Sequence, residues 1–295
     1  MIVRGNIADL LDPSMRKIYD DVYKKFSEEY SKIFNVLGST KKKETDSGFS
    51  GFGMAQDMNE AEEIPYDDPL QLYDVTYTHG KIGLGFKVSK ESVEDDQFNV
   101  IRKKPAALAT AVHRKVEKDA ALILNNAFTS GTGGDGQYLI DDDHPRGDGG
   151  TAQSNDGGAN TLTETNLNTG ILAMNKFLDD KGQKISVIPN KLIVPPDLEA
   201  MALILMKSAL RTNTANNDIN PLKGKLDILV YHWLTSTTAW FLLDKAQSQL
   251  NFFWRRKPGI NRDDKISAEI ARWYVSARYS VGWSDWRGIY GGAGA

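Results

Sequence analysis

The 295-residue chain contains no cysteine. This absence excludes disulfide bonds, thiolate metal sites and a cysteine nucleophile. Its four histidines are scattered, without the H-x-x-x-H spacing of a zinc site. No apolar run approaches the ~18 residues that a membrane-spanning helix needs, and the N-terminal stretch lacks the apolar core of a signal peptide. We therefore expect a protein that is made in the cytoplasm and has no membrane contact.

A strong excess of one charge is also missing, since the formal net charge is −3. This balance argues against a protein that wraps nucleic acid through its overall charge. Hydrophobic residues make up 40% of the chain and charged residues 25%, which is typical of globular proteins with a real core. The length allows one large domain or two to three smaller ones.

One loop sequence, "LIDDDHPRGDGG", places carboxylates beside an imidazole, as a hydrolytic metal site requires. A metal-dependent hydrolase using Asp141, Asp143 and His144 is therefore one hypothesis. Neighbouring side chains in a loop point in different directions, however, and the calcium-loop spacing fails. Counted from Asp141, the sixth position is Arg146 and the twelfth is Ala152, where glycine and glutamate are required. We interpret residues 141–144 as part of a solvated, turn-rich loop without catalytic residues.

Other catalytic signatures fail in the same way. "GFSGF" has phenylalanine where a nucleophile elbow requires glycine, and "GKIGLGF" lacks the dinucleotide-binding spacing. We expect neither an enzyme nor a bound cofactor or metal.

Hydrophobic periodicity predicts a mixed α and β architecture. The first half contains a helix from Asp12 to Gly38, a polar segment over 39–69, and strands at 73–79 and 82–88 joined as a hairpin at Gly80. A long helix over 101–128 would measure ~42 Å and act as a structural spine.

The second half begins with a loop region over 129–161 and a helix over 164–178. A buried strand at 190–194 then precedes a helix with five inward positions: Leu198, Met201, Ala202, Leu205 and Ala209. Strand-like runs follow at "LDILVYHWL", "AWFLLD", "NFFWRR" and "EIARWYVSARYSVGW".

The charges are unevenly distributed along the chain. Residues 49–96 hold three lysines against eleven acidic residues, a net of −8, and residues 97–128 hold six basic against two acidic residues, a net of +4. Residues 251–279 hold seven basic against three acidic residues, again +4. Ordinary solvated faces would explain these blocks, but so would self-association steered by charge.

The order of these parts resembles the major capsid proteins of tailed bacteriophages with the HK97-like fold, and looks most like the head subunit of Mu-like phages and prophages. The residues that carry the resemblance are "DGQYLIDDDHP", "GGTAQSN", "IPNKLIVPPDLEAMA", "TAWFLLD" and "SARYSVGWSDWRGIYGG". Each motif alone is weak, whereas their order and spacing together are specific.

The resemblance implies an α+β subunit divided into five parts. These are an N-terminal arm (1–48), an extended E-loop hairpin (49–92), a P-domain with the spine helix (93–165), an A-domain (166–255) and a return to the P-domain (256–295). The E-loop would lie over a neighbouring subunit, which explains a long polar segment without partners of its own. The sequence shows no long coiled coil before the arm, so we expect a separate scaffolding protein rather than a fused one.

The implied function is a shell subunit that forms hexamers and pentamers in a virion and encloses double-stranded DNA without sequence-specific contacts, with a portal as a further partner. An encapsulin-like compartment of a bacterium is the alternative with the same fold. The charge blocks suggest which residues meet between subunits: Glu60, Glu62, Glu63, Asp67, Asp68, Arg102, Lys103 and Lys104.

Overall fold

A computed structural model describes residues 7–89, 91–92, 95, 100–211, 218–265 and 270–294. Residues 1–6 of the predicted arm, 93–94 and 96–99 at the start of the predicted P-domain, and Glu269 at the start of the last predicted strand lie outside these ranges. The described part contains helices and strands in mixed order, as the α+β prediction requires.

Four α-helices occur in the described ranges: α1 (Ile7–Tyr23), α2 (Val100–Asn125), α3 (Glu164–Met174) and α4 (Glu199–Lys207). Short 3₁₀ turns lie at Tyr30–Lys32 and Pro196–Leu198. Helix α2 confirms the predicted spine, and its 26 residues measure ~39 Å. Pro105 is the sixth residue of this helix, so it removes one helical backbone hydrogen bond near the helix start.

The strands form three sheets. The first sheet has the order β1 (Asn35–Gly38), β8 (Leu250–Lys265), β9 (Ile270–Trp283), β4 (Gly80–Ser89). The second has the order β10 (Ile289–Gly292), β7 (Trp240–Leu243), β5 (Lys191–Val194), β6 (Asp227–Val230). Strands β2 (Lys43–Phe49) and β3 (Gln71–Thr78) form a separate antiparallel pair.

Helix α2 supplies the centre of the core because its apolar residues repeat every three to four positions and line one face. This stripe is buried along its whole length: Leu108, Val112, Val116, Ala120 and Leu124. Its first half packs with α1 against the first sheet, whereas its second half reaches residues of both sheets. A second cluster joins α3 and α4 to the other side of the second sheet.

The predicted helix from Asp12 to Gly38 is wrong beyond Tyr23. Helix α1 is described from Ile7, so Asp12 is not its N-cap; its carboxylate instead accepts a hydrogen bond from the Trp273 indole at 3.1 Å. After α1 the chain turns and ends in β1, which pairs parallel to β8. Tyr30 and Phe34 keep a helix-like spacing because they share a single short turn, in which the Phe34 N–H donates to Tyr30 O at 2.8 Å, and both enter the core cluster that contains Phe252.

The predicted hairpin between residues 73–79 and 82–88 is also wrong. Strand β3 pairs with β2, and strand β4 pairs with β9, so the chain crosses from one sheet to another at His79. The His79 ring is buried there and is hydrogen-bonded to Ser280 Oγ at 3.0 Å and Ser39 Oγ at 2.9 Å. Alternating apolar residues identify a strand, but they do not identify its partner.

Most other predicted elements are present, with differences at their ends. Helix α3 ends at Met174 instead of residue 178, and β8 and β9 are long partners in one ladder. In α4, Ala202 and Leu205 are buried as predicted, whereas Met201 is 45% exposed and Met206 lies in the core. Strand β10 was not predicted, because its glycine-containing sequence "IYGG" has no strand-like alternation.

Candidate assembly surfaces

The connection between β2 and β3, residues 50–70, is the most exposed apolar segment of the described chain. Every residue from Phe52 to Leu70 is exposed. Five of its large apolar side chains are especially open: Phe52 (65%), Met54 (76%), Ile64 (63%), Tyr66 (90%) and Leu70 (50%). Contiguous exposed apolar side chains on a globular protein mark an interaction surface. We call residues 50–70 the acidic arm, because they also contain six carboxylates and no basic residue.

The base of the acidic arm is held by local hydrogen bonds. The Ser50 N–H donates to Leu70 O at 2.9 Å, and the Leu70 N–H donates to Ser50 Oγ at 2.9 Å. Further out, Asp67 accepts a hydrogen bond from the Gly53 N–H at 2.6 Å and forms an ion pair with Lys181. The hydrogen bond from Lys181 and that from Gly53 hold the pKa of Asp67 below its usual range. The rest of the arm has little to bury itself against.

The loop over 129–150 forms a seat for β3. A Cβ atom at Gly134 would lie 2.6 Å from the Cβ of Tyr73, and one at Gly147 would lie 2.6 Å from Cδ2 of Leu72. Only glycine allows the loop backbone to approach the strand so closely. The glycines of this loop therefore fix the direction in which the hairpin leaves the subunit.

The structure separates the predicted contact residues within one subunit. The five acidic candidates (Glu60, Glu62, Glu63, Asp67 and Asp68) are all exposed on the acidic arm. Arg102 and Lys103 are exposed at the start of α2, and Lys104 Nζ lies 5.9 Å from the centre of the Phe86 ring. Asp67 contacts Lys181 rather than any of these basic residues. A contact between the two groups therefore requires a second subunit.

The loop at residues 141–144 is not the solvated turn that the sequence suggested, because His144 is completely buried. Its Nδ1 lies 2.7 Å from an Asp135 carboxylate oxygen and its Nε2 lies 3.1 Å from Asn155 Oδ1. Its ring stacks on Trp286 with centroids 4.2 Å apart. His144 thus holds the loop to the end of the chain.

The aspartates of this loop are exposed or accept hydrogen bonds from the loop backbone. Asp141 Oδ1 accepts a hydrogen bond from the Asp143 N–H at 3.1 Å, and Asp142 is exposed. Across the described ranges, no group of three or more histidine or acidic side chains is arranged to hold a metal ion. The geometry gives no support to the hydrolase hypothesis.

A junction that sequence reasoning missed lies on the middle of α2. The Glu117 side chain is fully buried and accepts hydrogen bonds from the backbone N–H groups of Glu29 at 2.7 Å and Tyr30 at 3.2 Å. Burial raises the pKa of Glu117 to about 7. The Tyr231 hydroxyl donates to Glu117 O at 3.3 Å, and His232 contacts Glu29. Glu117 therefore joins the N-terminal segment, the spine helix and the loop after β6. The sequence does not reveal this role, because a charged residue in an amphipathic helix is ordinarily exposed.

These features define a subunit with the HK97-like fold. It has a spine helix packed against one sheet, a second sheet packed with α3 and α4, and a projecting hairpin. The sequence profile of the phage capsid protein family matches residues 73–291. The match covers most of the chain, and the protein belongs to this family of virion proteins. No curated protein matches the chain.

Solved structures agree on the fold. A subunit of the procapsid of bacteriophage JBD30 is 18% identical, with a TM-score of 0.54, and the match covers 98% of this chain and 75% of that one. A capsid subunit of a native GTA particle is 15% identical, with a TM-score of 0.56 and 90% coverage of both chains. The capsid of cyanophage P-SCSP1u gives 11% identity, a TM-score of 0.58, and coverage of 89% and 86%. The HK97-like fold and the capsid assignment predicted from sequence are confirmed.

None of the described helices is both long and apolar enough to cross a membrane.

Proposed function

We propose that the protein is the major head subunit of a tailed phage, which self-assembles as hexamers and pentamers into an icosahedral shell around double-stranded DNA. Its membership of the phage capsid protein family supports the shell role. The observation that carries the proposal is the acidic arm, whose apolar side chains are exposed in the single subunit. A two-stranded hairpin is marginally stable alone in water, so a neighbouring copy must supply its missing contacts.

The five ranges predicted from the sequence remain our assignment of parts, with one change at the E-loop. The paired strands of the hairpin extend from Lys43 to Thr78, whereas the predicted E-loop covered 49–92. We therefore assign the E-loop to residues 43–78, which shortens the N-terminal arm to 1–42 and gives β4 to the P-domain sheet. The A-domain over 166–255 would contain β5, β6 and β7 of the second sheet with α3 and α4, whereas β10, the remaining strand of that sheet, comes from the P-domain return.

Several finer assignments complete the proposal. We propose a separate scaffolding protein and a portal as partners, assembly in the cytoplasm of a bacterial host, and DNA contacts that do not read sequence. The failed catalytic spacings support a protein without enzymatic activity. The quoted motifs from "DGQYLIDDDHP" to "SARYSVGWSDWRGIYGG" support a place near the Mu-like head subunits.

Negative-stain electron microscopy of the purified full-length protein tests the function. We expect closed shells or rings of five and six subunits, because the acidic arm needs a neighbour. Shells that contain DNA would support a phage head, and shells that enclose a protein cargo would support the encapsulin-like alternative. Only small particles with metal-dependent hydrolytic activity would contradict both.

We further propose that the arm acids meet Arg102, Lys103 and Lys104 of a neighbour. Each exposed ion pair contributes only ~0.2–1 kcal/mol, but a shell repeats the contact in every subunit. Screening limits the reach to about 8 Å at ~0.15 M ionic strength, so early assembly should be salt-sensitive.

Reversing Arg102, Lys103 and Lys104 to glutamate should slow assembly or block it. Adding Glu60→Lys, Glu62→Lys and Glu63→Lys to the same chain should partly restore it. Light scattering across a salt series measures both effects. The pairing is wrong if the double reversal gives no rescue and wild-type assembly is indifferent to salt.

A further inference from the structure

One face of the first sheet carries an unusual set of side chains. Alternate residues of β4, β8 and β9 (among them Phe86, Ile260 and Trp273) pack against α1 and α2 in the core. Because neighbouring residues of a strand point to opposite faces, the residues between them form the other face. We call this second face the basic sheet face: Lys81, Gly83, Gly85, Lys87, Arg256, Gly259, Asn261, Asp263, Arg272, Tyr274, Ser276 and Arg278.

The register of the sheet brings like charges into direct opposition. Arg278 of β9 is opposite Lys81 of β4 on one side and Arg256 of β8 on the other. Lys87 is opposite Arg272, whose neighbour on the other side is the carboxylate Asp263. Like charges directly across a sheet destabilise it. The face therefore carries five basic side chains and one carboxylate at a cost to the isolated subunit.

Within the described residues, the positive charge of the basic sheet face is not neutralised by ion pairs. Arg256 donates a hydrogen bond to Ser276 Oγ at 2.9 Å, which uses a neutral acceptor. No ion pair of the described residues involves any of the five basic side chains. Lys81, Lys87 and Arg256 are exposed, so their head groups are open to an anionic partner.

The middle of the basic sheet face carries few side chains apart from one exposed tyrosine. Gly83 and Gly259 are opposite Ser276, and Gly85 is opposite Tyr274, so side chains are missing on both sides of the central strand. A Cβ atom at Gly259 would meet no atom within 4 Å, and the Tyr274 side chain is 41% exposed. The basic residues lie on both sides of this glycine-containing stretch of the face. An extended peptide with acidic and aromatic side chains fits such a surface.

We infer that the basic sheet face binds the acidic arm of a second copy of this chain. This inference rests on the proposed function and extends the contact beyond the start of α2. The acidic arm offers six carboxylates and no basic residue, with Phe52 and Tyr66 exposed beside them. Each subunit thus presents one anionic segment and one cationic face, which suits a repeating contact.

The two basic surfaces are neighbours on the same subunit. Lys104 of α2 lies over the ring of Phe86, and Phe86 belongs to β4, the edge strand of the basic sheet face. An arm that crosses this face can therefore continue over the β4 edge to Arg102 and Lys103.

The variant Arg278→Glu separates assembly from folding. A glutamate between Lys81 and Arg256 removes two like-charge contacts, so the thermal stability of the unassembled subunit should stay the same or rise. Assembly should weaken, with about a tenfold higher critical concentration in light scattering, because the arm loses several weak ion pairs together. Adding Glu60→Lys, Glu62→Lys and Glu63→Lys should partly restore assembly.

Lys223→Glu, an equal charge change at an exposed residue before β6, is the matched control and should assemble normally.

Zero-length carbodiimide cross-linking of wild-type shells identifies the partner. We expect amide links from Lys81 or Lys87 to carboxylates of the acidic arm. In shells of mixed isotopically light and heavy subunits, these links should join different copies. Links from the arm only to Lys103 or Lys104, or normal assembly of Arg278→Glu, would overturn the inference while leaving the proposed function intact. Normal shells of Arg278→Glu that retain less DNA would assign the face to DNA and also overturn it. If the wild type forms no shells or capsomer rings, the proposed function and this inference fail together.

Discussion

A variant in which a short glycine-serine linker replaces residues 52–69 should fold as a subunit and form no stable shells. The deleted residues are all exposed, so the subunit loses few contacts of its own. Ser50 and Leu70, whose hydrogen bonds close the base of the arm, remain in place. A circular dichroism spectrum and a melting temperature close to those of the wild type should confirm folding.

Assembly should fail because the deletion removes the proposed intersubunit contact of the arm, including its large apolar side chains. Such side chains contribute ~1.5–3 kcal/mol each when fully buried, and the shell repeats that loss in every subunit. Sedimentation and electron microscopy measure the outcome. A matched control with Asp57→Asn alone keeps the apolar contacts and should still assemble. Closed particles of normal stability from the deletion variant would show that the arm is not an assembly element.

His144→Ala should destabilise the subunit by about 3 kcal/mol, because it removes a fully buried ring and leaves its partners unsatisfied. Asp135 loses its contact at 2.7 Å and Trp286 loses the ring stacked on it. The melting temperature should fall by about 5 °C or more. This effect would not be expected from the solvated, turn-rich loop that the sequence suggested.

Asp142→Ala is the internal control, since Asp142 is exposed in the same loop and should change stability by less than about 0.5 kcal/mol. Chemical denaturation of the unassembled subunit measures both variants. Equal stability of His144→Ala and the wild type would mean that the loop is held by other contacts.

The elements predicted best from sequence are those whose patterns depend on their own residues. The spine helix has a long stripe with helical spacing, and β7 is a short buried run of apolar residues. The errors occurred where distant parts of the chain decide the structure. Tyr30 and Phe34 have helical spacing but share only one short turn before the chain enters β1, and the partner of β4 lies almost 200 residues later in β9.

The assembly surfaces also divide into features that local sequence predicts and features that depend on distant residues. The exposed acidic arm could be predicted, because a polar segment of that length cannot bury itself. The burial of His144 and Glu117 could not be predicted. It depends on Trp286, Asn155 and Glu29, which are distant in sequence or lie in an unrelated motif. The basic sheet face also required the strand register, because its charges are separated along the chain and meet only across β4, β8 and β9.

The passage of the chain from β3 to β4 through the single residue His79 has a mechanical consequence. A pull on the hairpin along the direction of β4 would reach that strand through His79. The load then acts in shear on the ladder between β4 and β9, whose register extends from Gly80–Tyr279 to Ser89–Ile270. Hydrogen bonds loaded in shear resist together, whereas bonds at a peeled edge fail one after another. Internal pressure in a filled shell would therefore be carried by the whole ladder.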